Sequence, residues 1–261
     1  MNMTKPLPLH FDQLKVSVHP DRTFMGQAAG LAAAHVLRDA IARRGTARLI
    51  VASAPSQDET LAVLTRAEGV EWEKITVFHM DEYIGLPDWH PATFRAYQKE
   101  HVLGKVRPAA FHGIRGEASD PEAECTRYAA LLTEAPIDLV CMGIGENGHI
   151  AFNDPPVADF QDSLAVKVVE LDEACRRQQV NDGCFPDLDA VPRRAISLTC
   201  PTLMSARHLV CSVPGARKAE AVRATLTGPV ATACPASILR THASATLYLD
   251  NDSASLISTD Q

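Results

Sequence analysis

The sequence predicts an α/β protein built on a mostly parallel, doubly wound sheet with helices on both faces. Three observations carry that prediction. Apolar runs such as "ARLIVASA" (47–54), "ITVFHM" (75–80) and "IDLVCMGIG" (137–145) are rich in branched residues and too short for helices, so they read as buried strands. Longer stretches with helical spacing and capping residues lie between them. Strands and helices then alternate along the chain, as expected for a parallel sheet covered on both sides.

Each element has a local reason. Asp21 can cap a long helix through "RTFMGQAAGLAAAHVLRDAIARR", and Gly45 ends it. After the strand "ARLIVASA", Ser56 is expected to cap a helix from Gln57 to about Glu68. "ITVFHM" is the second strand, followed by the loop "DEYIGLPDWHP" and a helix over about Ala92 to Val102. "DPEAECTRYAALLTEA" is a capped amphipathic helix, and "IDLVCMGIG" is a third buried strand ending in a glycine turn. "LAVKVVEL", "AISLTC" and "HLVCSV" are further strands, "ARKAEAVRATLTG" is a helix, and "ATLYLD" closes the sheet. The last ten residues are polar and expected to fray.

Bulk composition narrows the function. The 261 residues suffice for one domain, 1–261, with a sizeable core. A formal net charge of -7 argues against a general nucleic-acid or anionic-membrane surface. No run of about 18 apolar residues exists to span a bilayer. The start "MNMTKPLPLHFDQLKV" lacks the apolar core of a signal peptide, so a cytoplasmic protein is expected. Seven cysteines, an odd number without CxxC spacing, suggest a reducing compartment and neither disulfides nor a zinc cluster. The ten histidines are scattered without metal-ligand spacing, so no metal is expected.

Sites in open α/β sheets form at the carboxyl ends of strands. Three such ends carry polar clusters: "SAPSQDE", "HMDEYIGLP" and "GIGENGHIAFNDPP". In the third, Gly143, Gly145 and Gly148 allow tight turns, and Asn147, His149 and Asp154 follow closely. A histidine flanked by an amide and a carboxylate can be held in one tautomer as general acid or base. A capped turn with only local hydrogen bonds explains the cluster equally well. In the second, Asp81 and Glu82 are adjacent on extended chain, so only one faces a cleft. A partly desolvated Asp81 could take a proton from a carbon next to a carbonyl, while a solvated loop is the plainer explanation.

Together, "FHMDEYIGLP" and "GIGENGHIAFNDPP" resemble the signatures of the glucosamine-6-phosphate deaminase family, which also includes 6-phosphogluconolactonases. "VPRRAISLT" and "VPGARKAEAVRATLTG" extend the resemblance over most of the chain, and "MDEYIGLP" favours the deaminase branch. The resemblance implies a Rossmann-like fold and an aldose–ketose isomerase/deaminase that needs no metal or redox cofactor. It implies Asp81 as the base for proton transfer at C1/C2, His149 as the ring-opening acid/base, and Asn147 and Asp154 as the residues that orient His149. It makes Lys218 a phosphate ligand and assigns Ser53, Ser56, Gln57, Glu82, Gly145, Arg176 and Gln179 to substrate binding. Gln179 falls where the family carries a phosphate-binding arginine, with Arg176 nearby. Residues of about 169–188 would form a lid. The partner is then a small-molecule amino sugar or sugar phosphate, with homo-oligomerisation left open.

One segment departs from the family. Its phosphate loop is typically rich in Gly, Thr and Ser, whereas "SAPSQDE" has no glycine, and Asp58 and Glu59 open the following helix. Carboxylates there would repel a phosphate dianion, although acids that only favour the helix dipole and face solvent explain them equally well. The expectation is therefore a glucosamine 6-phosphate deaminase, with two alternatives: a deaminase of an unphosphorylated amino sugar, and a sugar lactonase.

Overall fold

The structure is a computed structural model and describes residues 9–257. The strands, in chain order, are β1 (Leu9–Phe11), β2 (Leu14–His19), β3 (Ala47–Val51), β4 (Ile75–His79), β5 (Asp81–Tyr83), β6 (Ala110–His112), β7 (Leu139–Met142), β8 (Val166–Glu170), β9 (Arg194–Leu198), β10 (His208–Val213) and β11 (Ala245–Asp250). The α-helices are α1 (Arg22–Arg44), α2 (Asp58–Leu64), α3 (Phe94–Gln98), α4 (Pro121–Thr133), α5 (Glu173–Asn181), α6 (Cys200–Met204) and α7 (Ala219–Thr227).

Eight strands form the main sheet in the order β1-β2-β11-β10-β7-β3-β4-β6, parallel except for β1 against β2. The strands are apolar throughout because alternate side chains enter different cores. Leu49 and Val51 of β3 join the core under α1 and α2, while Ile50 joins the core on the opposite face. Leu139 and Cys141 of β7 divide from Val140 and Met142 in the same way. Each large aliphatic side chain so buried contributes roughly 1.5–3 kcal/mol. Three strands form a second, antiparallel sheet, β5-β9-β8, over a smaller aromatic core that includes Tyr83, Phe94, Phe152 and Phe185.

Local chemistry explains the longest helix. The Asp21 carboxylate accepts the amides of Thr23 and Phe24 at the start of α1, and Gly45 ends it at φ 79°. Gly26 and Gly30 let α2 cross closely: a Cβ on Gly26 would lie 2.2 Å from Glu59 Cβ, and one on Gly30 would lie 2.6 Å from Val63 Cβ. The crossing brings the first turn of α1 beside the first turn of α2.

Several expectations change. Ser56 caps no helix; it sits inside a 3-10 turn, Pro55–Gln57, and α2 ends at Leu64. The helix expected over 92–102 begins at Phe94, capped by Thr93, and its second half is a π-helix, Lys99–Leu103. "LAVKVVEL" and "AISLTC" are strands, but they pair with each other, and the second with β5, rather than joining the main sheet. The tail expected to fray is docked over 252–257: Ser253, Ala254 and Ile257 are buried, and the Asp250 carboxylate accepts the amides of Ser253 and Gly215. Residues 258–261 lie outside the described residues. No described helix is long and apolar enough to cross a membrane.

Candidate active site

The chain leaves β3 toward β4 and leaves β7 toward β10, in opposite directions across the sheet. Such a switch point opens a crevice at the carboxyl ends of the strands. A cavity of about 380 Å3 lies there. Its walls are the turns after β3 and β7, the start of β5, the loop after β10 and the C-terminal part of α5.

The β7 turn supplies His149. Gly145 lies directly against the imidazole; a Cβ on it would stand 2.1–2.4 Å from the ring atoms. His149 Nδ1 lies 2.7 Å from Asn147 Oδ1 and 3.0 Å from Asp154 Oδ1, and Asn147 Nδ2 donates to the same Asp154 oxygen at 3.0 Å. A ring held at Nδ1 presents Nε2 to the cavity with one tautomer favoured. Asp154 is fully buried. Burial raises its carboxyl, but the hydrogen bonds from His149 and Asn147 and the amide of Asp172 outweigh that and hold it below the usual range.

Asp81 and Glu82 divide as extended chain requires. Asp81 faces the cavity, and burial, reinforced by the adjacent Glu82, raises its carboxyl well above the usual carboxylate range. Glu82 turns away and accepts the amides of Tyr83, Phe94 and Arg95. Burial pushes it up to about 7 in spite of those amides. Glu82, expected in substrate binding, therefore lies outside the cavity and ties β5 to α3.

The other expected residues also separate. Ser53, Ser56, Gly145, Gln179 and Lys218 line the cavity with Asp81 and His149. Gln57 does not; its amide nitrogen is bonded to Ser56 Oγ and to the carbonyl of Ser212 at 3.2 Å. Arg176 does not either, because its guanidinium is bonded to the carbonyls of Leu188 and Val191. Asn147 and Asp154 stand behind His149. Asp58 and Glu59, read as carboxylates that would repel a phosphate or face solvent, are both engaged with other side chains. The Asp58 carboxylate accepts the Tyr97 hydroxyl at 2.6 Å, Glu59 is paired with Arg22 at 2.6 Å, and neither lines the cavity.

Sequence reasoning missed three charged residues on the cavity wall: Arg22, Asp182 and Arg217. Arg217 pairs with Asp182 at 2.8 Å and with Glu146 at 3.5 Å, linking the loop after β10 to the end of α5. Arg22 lies 34 residues before Ser56 in the chain, and no motif marks it. Lys218 is 9% exposed, has no carboxylate within ion-pair distance among the described residues, and burial lowers its ammonium. Its loop is pinned where Asp250 accepts the Gly215 amide at φ 92°.

One cluster has metal-ligand chemistry: a donor atom from each of His149, Asp154 and Cys175 falls within 4.8 Å of the others. The His149–Asp154 contact already engages two of the three groups, and burial raises the Cys175 thiol well above its ordinary value.

The comparisons agree with this geometry. A sequence profile of the family described as glucosamine-6-phosphate isomerases/6-phosphogluconolactonase matches residues 20–248. A glucosamine-6-phosphate deaminase of Listeria monocytogenes is 38% identical over 202 residues, 77% of this chain and 84% of the relative. One from Exiguobacterium sibiricum is 37% identical over 193 residues, 74% and 75% of the two chains. Among solved structures, a monomeric glucosamine-6-phosphate deaminase superposes with a TM-score of 0.85 at 31% identity, covering 93% of this chain and 99% of that one. A 6-phosphogluconolactonase from Shewanella baltica, at 18% identity, shares the fold with a TM-score of 0.72 over 90% and 97% of the chains. The fold and site define an α/β protein with an acid/base cavity at its switch point. The chain belongs to the glucosamine-6-phosphate isomerase/6-phosphogluconolactonase family.

Proposed function

We propose that the protein is an isomerising deaminase of glucosamine 6-phosphate, releasing ammonium and leaving a ketose 6-phosphate. One observation carries the reading: Asp81, with a carboxyl raised by burial, and His149, held at Nδ1 by Asn147 and Asp154, open onto one cavity that is also lined by Lys218. The relatives' names point to the same substrate.

The residues suit each step. His149 moves a proton between the anomeric hydroxyl and the ring oxygen, opening the ring to an aldehyde. Asp81 takes the proton from C2, now acidified by the neighbouring carbonyl, and delivers it to C1. The resulting C2 imine adds water and expels the amine as ammonium, so one water is consumed for each ammonium formed. A base works best when its pKa lies near the operating pH, and burial beside Glu82 shifts the Asp81 carboxyl upward, in that direction. Lys218 offers a positive charge to the phosphate. Helix α5, within the expected lid, lines the cavity through Gln179, and Asp182 just past its end lines it too.

The test is release of ammonia from glucosamine 6-phosphate in step with ketose formation by the purified protein, beside unphosphorylated glucosamine. Preference for the phosphorylated sugar supports the reading. Preference for the free sugar, or lactone hydrolysis alone, overturns it.

A further inference from the structure

We propose that Arg22, at the start of α1, is a ligand for the substrate's anionic end and replaces, from a different element, the glycine-rich loop that "SAPSQDE" lacks. The inference rests on the reading of the substrate as a sugar phosphate. Arg22 lines the cavity beside Pro55 and Ser56. Two of its nitrogens are already committed: Nε donates to Glu59 at 2.6 Å, and one terminal nitrogen donates to the carbonyl of Pro55. The other terminal nitrogen has no protein partner among the described residues. A guanidinium held at two points loses little freedom when it binds a third group.

Two further features make this a built site. The Pro55–Gln57 turn is fastened to β10, because Gln57 Nε2 donates to the Ser212 carbonyl and Thr60 shares a 2.8 Å hydrogen bond with Ser212 Oγ. The loop that follows β10 carries Lys218, a buried residue that has no carboxylate within ion-pair distance among the described residues. Arg22, Ser56 and Lys218 therefore line one cavity from three separate segments. Glu59, which the sequence suggests would repel an anion, aims the arginine instead. Gly26 makes this geometry available by letting α1 approach α2 at Glu59.

The test compares wild type with Arg22→Met and Arg22→Lys, using KM for glucosamine 6-phosphate, competitive inhibition by inorganic phosphate, and the shift of Tm on adding phosphate. The Arg22–Glu59 pair is half exposed, with side chains 42% and 30% accessible, so its loss costs little stability. The expected result for Arg22→Met is a rise of about 10- to 100-fold in both KM and the phosphate inhibition constant, the loss of one charge-assisted hydrogen bond. The change in kcat is expected to be much smaller, and Arg22→Lys should fall between. KM and inhibition constant within twofold of wild type in Arg22→Met overturn the proposal. If wild type releases no ammonia while phosphate still raises its Tm, and raises that of Arg22→Met less, the deaminase reading falls and the anion site stands. If phosphate shifts neither Tm and inhibits neither protein, the anion site falls.

Discussion

The turns after β3 and β7 lie side by side on the same cavity, yet they are built on opposite principles. The β7 turn is self-contained: Gly145, Asn147, His149 and Asp154 lie within ten residues and hold one another. The β3 turn is assembled from afar. Ser56 comes from the turn itself, Arg22 from the preceding helix, Lys218 from a loop 162 residues later, and Ser212 fastens the parts together. A local constellation fails when any one member is displaced. A distributed one degrades in steps, because each contributor is anchored by its own element.

The largest effect expected from this contrast is at the acid/base pair. Asp81→Asn keeps the shape and removes the base, and His149→Asn removes the ring. Each should lower the rate of ammonia release by about 10²- to 10⁴-fold while far-UV circular dichroism stays that of wild type. A loss of less than tenfold in both variants would take the chemistry away from this cavity. Gly145→Ala comes next. Its methyl group collides with the His149 ring, and a misplacement on the order of 1 Å should cost roughly 100-fold in kcat. Wild-type kcat in that variant would mean the turn yields without moving the ring.

A third measurement concerns pH. Burial and Glu82 favour the protonated form of Asp81, and a base acts only when ionised. The kcat/KM profile should therefore fall on the acid side starting well above the ordinary carboxylate value of about 4. An inflection at or below that value would show Asp81 to be solvated. The smallest effect sharpens the β3 side. Asp58→Asn should change KM for the phosphorylated sugar by less than about twofold, and weaken the Tyr97 hydrogen bond by on the order of 1 kcal/mol, read as a small drop in Tm. A several-fold fall in KM would put Asp58 back against the anion.

Glu82 shows how far adjacency in sequence can mislead. It stands next to Asp81 inside the family motif, but strand alternation sends its carboxylate to three backbone amides between β5 and α3. Its role is to hold the frame around Phe94, which itself lines the cavity. Arg176 is a parallel case: an arginine close to where the family keeps a phosphate ligand, spent on the carbonyls of Leu188 and Val191.

By itself the amino-acid sequence determined the α/β class, the buried strands of the main sheet, the Asp21 and Gly45 ends of α1, and the neighbourhood of His149. All of these depend on hydrophobic period, capping chemistry or residues within one turn, and such interactions are written at short range. Only the tertiary structure decided that β5, β8 and β9 form a separate sheet, that the segment to residue 257 is docked, and that Arg22 meets Glu59 and the cavity. Those outcomes depend on which elements the crossovers bring together. The sign of the charge near Ser56 is the sharpest example. Read along the chain it is two carboxylates; in the fold one is neutralised by an arginine 37 residues earlier and the other is bonded to a tyrosine hydroxyl 39 residues later.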